Sequence, residues 1–297
     1  MCKWQVHLLS AAFLILLAAT ACSRKDESDA DNRRVLIVSI EPQRQVLEQI
    51  VGDRFRIFTL MPKSNNPETY EPSAKERMTL NRGEIYFTTG FFPFENAVGL
   101  TIDSTTRIVN TSQGINFVYG THSHADGHSA FLHTDSDNMA PDPHVWVSLR
   151  NARRMALNMT NAVTALDPDN ADEYTGRYGQ LVRRLDSLDK VFARRLADIR
   201  PRTFLVWHPT LSYFARDYNL EQIAVSSETK ESTINSLRNI ISEARQDSVR
   251  VFFYQKEFDS RQAEAINSGV GSRLVPISVS GYDWMEQLEN IVNELAH

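Results

Sequence analysis

Two histidines in this chain are each clamped by proline. His144 stands in Asp142-Pro143-His144-Val145-Trp146, just before a helical pattern, and His208 stands in Trp207-His208-Pro209, at the end of an apolar run. A glutamate, Glu68, has a comparable setting in the Pro-flanked loop Asn65-Asn66-Pro67-Glu68-Thr69-Tyr70-Glu71-Pro72. Proline removes backbone freedom, which suits a side chain that must hold a metal ion at a fixed distance of about 2.0 Å. Taken singly, a histidine at a strand end is most often a hydrogen-bonded loop residue. Recurrence of one setting on both sides of a long helix is what makes Glu68, His144 and His208 candidate ligands.

A second cluster is looser. His122-Ser123-His124-Ala125-Asp126-Gly127-His128, followed by His133 and Asp135, lies in a loop directly before His144. Histidine-rich tracts bind zinc and similar borderline metals. Without helical spacing, this one reads as an auxiliary capture loop (His122, His124, Asp126, His128, His133) rather than one rigid site.

The elements that must position these groups are legible from periodicity. Between residues 168 and 199 the apolar residues Tyr174, Tyr178, Leu181, Leu185, Leu188, Phe192, Leu196 and Ile199 recur at steps of three and four. That is the stripe of one long amphipathic helix. Asp167-Pro168-Asp169 marks its start, Arg194, Arg195 and Arg200 sit near its negative end, and Pro201 is expected to stop it. Before it, strands at 35–40, 55–60, 85–88 and 107–110 alternate with helices at 43–51, 73–81 and after Pro93, then a loop at 117–140 and a helix at 149–166. After it, strands at 204–207, 222–225, 249–254 and 274–277 alternate with helices at 211–218, 233–247, 261–267 and 282–295. The class is α/β: two lobes of parallel sheet flanked by helices, each with its own core, joined by one long backbone helix. The divisions are a first lobe at 35–166, a linker helix at 167–200 and a second lobe at 201–297. Ligands in such sheets bind beyond the carboxyl ends of the strands, and the cleft between lobes is the natural site.

The 297 residues carry a net charge of −5, which argues against nucleic acid as the partner. The N-terminus predicts export: Lys3 precedes an apolar run too short to span a membrane, followed by small residues. Residues 1–21 read as a signal peptide. Ala19-Thr20-Ala21-Cys22 looks like a bacterial lipobox, in which Cys22 is lipidated and becomes the first mature residue. Of the chain's two cysteines, Cys2 leaves with the signal, so the mature chain makes no internal disulfide. Residues 22–34 are polar and charged, as a flexible tether would be.

These residues carry a family resemblance. Asn66-Pro67-Glu68-Thr69-Tyr70-Glu71-Pro72, Asp142-Pro143-His144-Val145-Trp146, Leu166-Asp167-Pro168-Asp169-Asn170-Ala171, and Trp207-His208-Pro209 through Tyr213-Phe214-Ala215 resemble, in order, blocks of the zinc/manganese solute-binding proteins of ABC importers. These are the ZnuA/TroA-like, or cluster A-I, metal-binding lipoproteins. The resemblance implies two α/β lobes on one long helix, and a His- and acid-rich loop where 122–135 lies. It also implies a first shell of Glu68, His144 and His208, with the fourth place open or filled by water or Ser278. Three positions depart from the family pattern: Glu68 replaces its usual first histidine, Ser278 stands where an acidic ligand occurs, and Gln255 stands where a Glu often follows the penultimate strand.

Two imidazoles and a carboxylate suit zinc; manganese or iron is the alternative, since more oxygen ligands make a harder site. The same trio with an open position could also hold a catalytic zinc, whose bound water attacks a substrate. The chain has no His-Glu-x-x-His, and only Glu71 or Glu231 could be proposed as general base, so the reading is capture without chemistry, not an enzyme. The expected partners are a divalent cation, an ABC permease with its ATPase, and a membrane reached through the lipid on Cys22, facing the periplasm or exterior. The protein is expected to act as a monomer. With Glu68 and His144 in one lobe and His208 in the other, metal binding is expected to draw the lobes together, by a small movement given the single-helix strut.

Overall fold

The apolar run Val-Leu-Ile-Val forms strand β1 (Val35–Val38), with all four residues buried, as in a strand covered on both faces. In this computed structural model, which describes residues 32–62, 69–119, 140–226, 233–255 and 260–297, β1 leads into α1 (Glu41–Val51), β2 (Arg56–Thr59), α2 (Ala74–Leu80), β3 (Gly83–Thr88), α3 (Pro93–Gly99) and β4 (Arg107–Asn110). Two helices follow, α4 (Leu149–Leu166) and the long α5 (Ala171–Leu196). The second series is β5 (Thr203–Val206), α6 (Ser212–Asp217), β6 (Glu221–Ala224), α7 (Ile234–Gln246), β7 (Val251–Gln255), α8 (Ser260–Val270), β8 (Arg273–Ile277) and α9 (Trp284–Leu295).

Both sheets are wholly parallel and share one order, β2-β1-β3-β4 and β6-β5-β7-β8. In this winding the strand order reverses between the first and third strands of each sheet, and a crevice opens there at the carboxyl ends. In the second sheet, that point is flanked by His208, just beyond β5, and by Gln255, the last residue of β7.

Helix α5 is 26 residues long, about 39 Å at ~1.5 Å per residue. It buries Tyr174, Leu181, Leu185, Phe192 and Leu196, and packs on α1 and α4 of the first series and on α9 of the second. Two ends differ from expectation. The segment Pro168–Asn170 is a separate 3-10 turn, and the helix closes at Leu196, before Ile199 and Pro201. The guanidinium of Arg202 explains the early stop. It donates to the Leu196 carbonyl at 3.2 Å and the Ala197 carbonyl at 3.1 Å, supplying the partners that a helix C-terminus lacks. The same group donates to the carbonyls of Tyr218 at 2.5 Å and Asn219 at 2.6 Å, so it ties the ends of α5 and α6 together. Arg202→Ala is expected to destabilise the protein by about 1–2 kcal/mol, read as a shift in urea midpoint. Arg200→Ala, which removes a bond only to the neighbouring Ile199 carbonyl, should leave the midpoint nearly unchanged.

The expected pair of independent cores is not what forms. One continuous cluster includes Val38 and Tyr86 of the first sheet, Leu185 of α5, and Phe204, Tyr213, Phe253 and Trp284 of the second series. A smaller cluster, with Leu205, Ile223, Ile240 and Phe252, covers the other face of the second sheet. The strut therefore lies along a shared core rather than bridging two separate ones, and Val35–His297 is one compact unit.

Candidate metal centre

His144 belongs to a short segment that joins the first sheet's last connection to α4. Residues Val145–Val147 make a 3-10 turn, and Ser148 caps α4, its hydroxyl accepting from the Asn151 amide at 3.1 Å. The histidine itself is 3% exposed. Asp142 Oδ1 accepts from the His144 amide at 2.8 Å and faces its Nδ1 at 3.0 Å. An ionised carboxylate can only accept, so the ring proton sits on Nδ1 and the lone pair on Nε2. This carboxylate–histidine arrangement orients and strengthens a metal-binding imidazole. Burial pushes the Asp142 carboxyl up, but hydrogen bonds from the His144 ring and amide and from Ser212 outweigh it and hold the group below the ordinary carboxylate range. Its other oxygen, Oδ2, is buried with no partner at normal hydrogen-bond geometry, leaving acceptor capacity directly behind the imidazole.

His208 comes from the other sheet. The Trp207 amide continues the β5–β7 ladder by donating to the Phe253 carbonyl at 2.8 Å. The His208 carbonyl then accepts from the Thr210 amide at 2.7 Å and from Gln255 Nε2 at 3.2 Å. Gln255 Nε2 also reaches Thr210 Oγ1 at 2.9 Å. Gln255 thus fixes the backbone turn that carries the histidine.

The decisive geometry is between the two rings. Their centroids stand 5.4 Å apart with planes at 79°. Two imidazoles that share one tetrahedral ion, each nitrogen about 2.0–2.1 Å from it, place their ring centres about 5 Å apart. The observed 5.4 Å is close to that spacing. Trp146 backs the pair, its ring centroid 5.3 Å from that of His144.

The His144 segment is also tied to the second sheet's side of the molecule. Tyr213 on α6 donates its hydroxyl to the Asp142 carbonyl at 2.7 Å, Trp146 Nε1 donates to the Val279 carbonyl at 2.9 Å, and Ser148 donates to the Asp217 carboxylate. Ser278 follows β8, is half-buried, and donates its amide to Gln287 Oε1 at 3.4 Å. Its neighbour Val279 accepts from Trp146, the ring beside His144.

Among the described residues, no group of three or more His, Cys, Asp or Glu side chains gathers to hold a metal. Of the expected ligands, the fold brings together His144 and His208. Glu68 falls in 63–68, His122, His124, Asp126, His128 and His133 fall in 120–139, and Cys22 falls in 1–31, all outside the described residues. Asp142, Tyr213 and Trp146, which hold the His144 segment, are not among the sequence candidates. The Asp-Pro-His spacing was a usable signal for Asp142, since it puts a carboxylate two residues from the imidazole across a rigid link.

Asp142→Asn is expected to lower metal affinity 10–100-fold, the usual cost of losing a carboxylate behind a metal-binding histidine. Isothermal titration of the metal-free variant measures it, with unchanged circular dichroism as the control.

Comparison with known proteins places the whole described body of the chain in one family. The family described as "Zinc-uptake complex component A periplasmic" matches residues 36–297. The high-affinity zinc uptake system protein ZnuA of Bacillus subtilis is 26% identical over 281 residues, covering 91% of this chain and 86% of that protein. A putative metal-binding protein of Treponema pallidum is 23% identical over 295 residues, covering 95% and 92%. Among solved structures, a zinc-bound ZnuA deletion mutant superposes with a TM-score of 0.79 at 29% identity, covering 89% of this chain and 97% of the other. A manganese-bound periplasmic metal-binding protein from Candidatus Liberibacter asiaticus shares the fold at 18% identity, with a TM-score of 0.76 over 89% and 98% of the two chains.

Proposed function

Because the chain belongs to the family of periplasmic zinc-uptake component A proteins, we propose that it captures a divalent cation, zinc before manganese or iron, between His144 and His208 for delivery to a membrane import complex. The observation that carries this reading is the pair of imidazoles at 5.4 Å, one of them held by a buried carboxylate. Glu68 is the proposed third ligand, and water or Ser278 the fourth. Neutral nitrogen donors favour zinc, whereas each added oxygen ligand moves the preference toward manganese. Ligating imidazoles are unprotonated, so acidification should release the ion.

The reaction is capture and release, with no bond made in a substrate. The hydrogen bonds from Tyr213 and Trp146 across the seam support a closely set pair of histidines, and closure on binding is proposed to be small and local. The receiving partners are proposed to be an ABC permease and its ATPase. Anchoring through a lipid on Cys22, action as a monomer, and a supply role for His122, His124, Asp126, His128 and His133 belong to the same proposal.

Equilibrium competition between zinc and manganese tests it. One zinc per chain should bind and exclude manganese, and deleting 122–133 should leave that high-affinity event intact. Preference for manganese would reassign the cargo, and loss of all tight binding on deleting the loop would move the site away from His144 and His208.

A further inference from the structure

A positively charged cavity adjoins the segment that carries His144. Its volume is about 410 Å³, and Arg150, Arg154, Arg216 and Asp217 are among the residues that line it, with Gly114 and Asn151. Three guanidinium groups and one carboxylate leave a local charge of about +2 in a chain whose net charge is −5.

The positive charges are unequally spent. Arg216 is fully engaged: it pairs with Asp217 at 2.8 Å, donates to the Asn116 carbonyl at 2.9 Å, and stacks over Tyr213 at 5.0 Å. Asp217 in turn accepts from Arg216 and from Ser148, so the one acid in the cavity is already neutralised. Arg150 reaches Asp189 only at 3.4 Å, with its side chain 49% exposed, and lies 5.9 Å from the Tyr218 ring centre. The Arg154 side chain is exposed and its guanidinium makes no hydrogen bond or ion pair among the described residues; it lies beside Gly114, where φ is +81° and an added Cβ would approach the Arg154 Nε to 3.6 Å. Arg150 and Arg154 are one helical turn apart on α4, so their side chains share a face.

We propose that this cavity is a binding site for a small oxyanion, a carboxylate or phosphate group, held between the guanidinium groups of Arg150 and Arg154. The planar fork of arginine matches both groups with two parallel hydrogen bonds, and the volume lies within the range of small-ligand sites. The site is independent of metal ligation but adjoins it. Asn151, in its wall, donates to the Val145 carbonyl at 3.0 Å, and Asp217 holds Ser148; both contacts fall on the segment that carries His144.

Titrating metal-free protein at low salt with inorganic phosphate, and separately with succinate, tests the proposal. At least one should bind saturably at one per chain. Arg154→Gln and Arg150→Gln should each weaken that binding at least about tenfold, the worth of a charge-assisted hydrogen bond, while His208→Ala leaves it unchanged. Arg154→Lys, which keeps the charge but loses the fork, should fall between. Tighter binding of phosphate or of succinate identifies the anion class. Absence of saturable binding by both probes, or binding that survives both glutamine variants in folded protein, would overturn the assignment.

Discussion

His208→Ala is expected to weaken zinc binding by about a hundredfold or more, and His144→Ala by at least as much. A structural zinc held by four protein ligands binds with roughly 12 kcal/mol, so each ligand carries about 3 kcal/mol, or two decades in dissociation constant. The His144 variant should suffer further, because its ring is buried and its removal leaves Asp142 facing a void with no imidazole donor. Both losses should exceed that of Asp142→Asn, which spares the ligands. Competition with a chelator of known affinity measures the effect. Variants that both bind within threefold of the parent would remove the histidine pair from the site.

The second large effect concerns folding. Glu95→Ala is expected to cost about 3–5 kcal/mol, and to lower the melting temperature by roughly 10 °C. Glu95 is 4% exposed, and its carboxylate accepts from the amides of Thr89 at 2.6 Å, Gly90 at 2.8 Å, Phe91 at 3.1 Å and Phe92 at 3.3 Å, together with the Thr89 hydroxyl. That loop wraps the first turn of α3 at the carboxyl end of β3. Its tight path needs Gly90, where φ is +87° and a Cβ would collide with the side-chain amide of Asn110. Removing the carboxylate strands several buried donors at once, each costing about 1–3 kcal/mol unless water reaches it. Glu95→Gln should be intermediate, since an amide retains one accepting oxygen. Urea denaturation gives the number, and a midpoint unchanged by Glu95→Ala would show that the loop does not depend on the carboxylate.

Much of this architecture was legible residue by residue, because periodicity reports which face of an element is buried. The strand at 107–110 and the helix at 149–166 fall where the observed β4 and α4 do. Periodicity does not report what the buried face meets. Val38 and Phe204 read as strand residues of separate lobes and lie in one core, and α5 ends early through Arg202, a tertiary contact invisible in local pattern. The site divides the same way. His144 and His208 stood out by type, proline neighbours and position beyond strands or before a helix. The tasks of Asp142, Trp146 and Gln255 depend on side-chain direction, which a linear sequence does not display. Glu95 shows the same limit: it looks like an ordinary first-turn acid, and only the folded loop turns it into an acceptor for four amides.

Anomalous diffraction at the zinc edge, from crystals of the full chain loaded with one equivalent of zinc, tests the histidine pair most directly. A single peak about 2.0–2.1 Å from nitrogens of both His144 and His208 is the predicted result. A peak that touches neither ring, with zinc held instead by the histidines of 122–133, would contradict it.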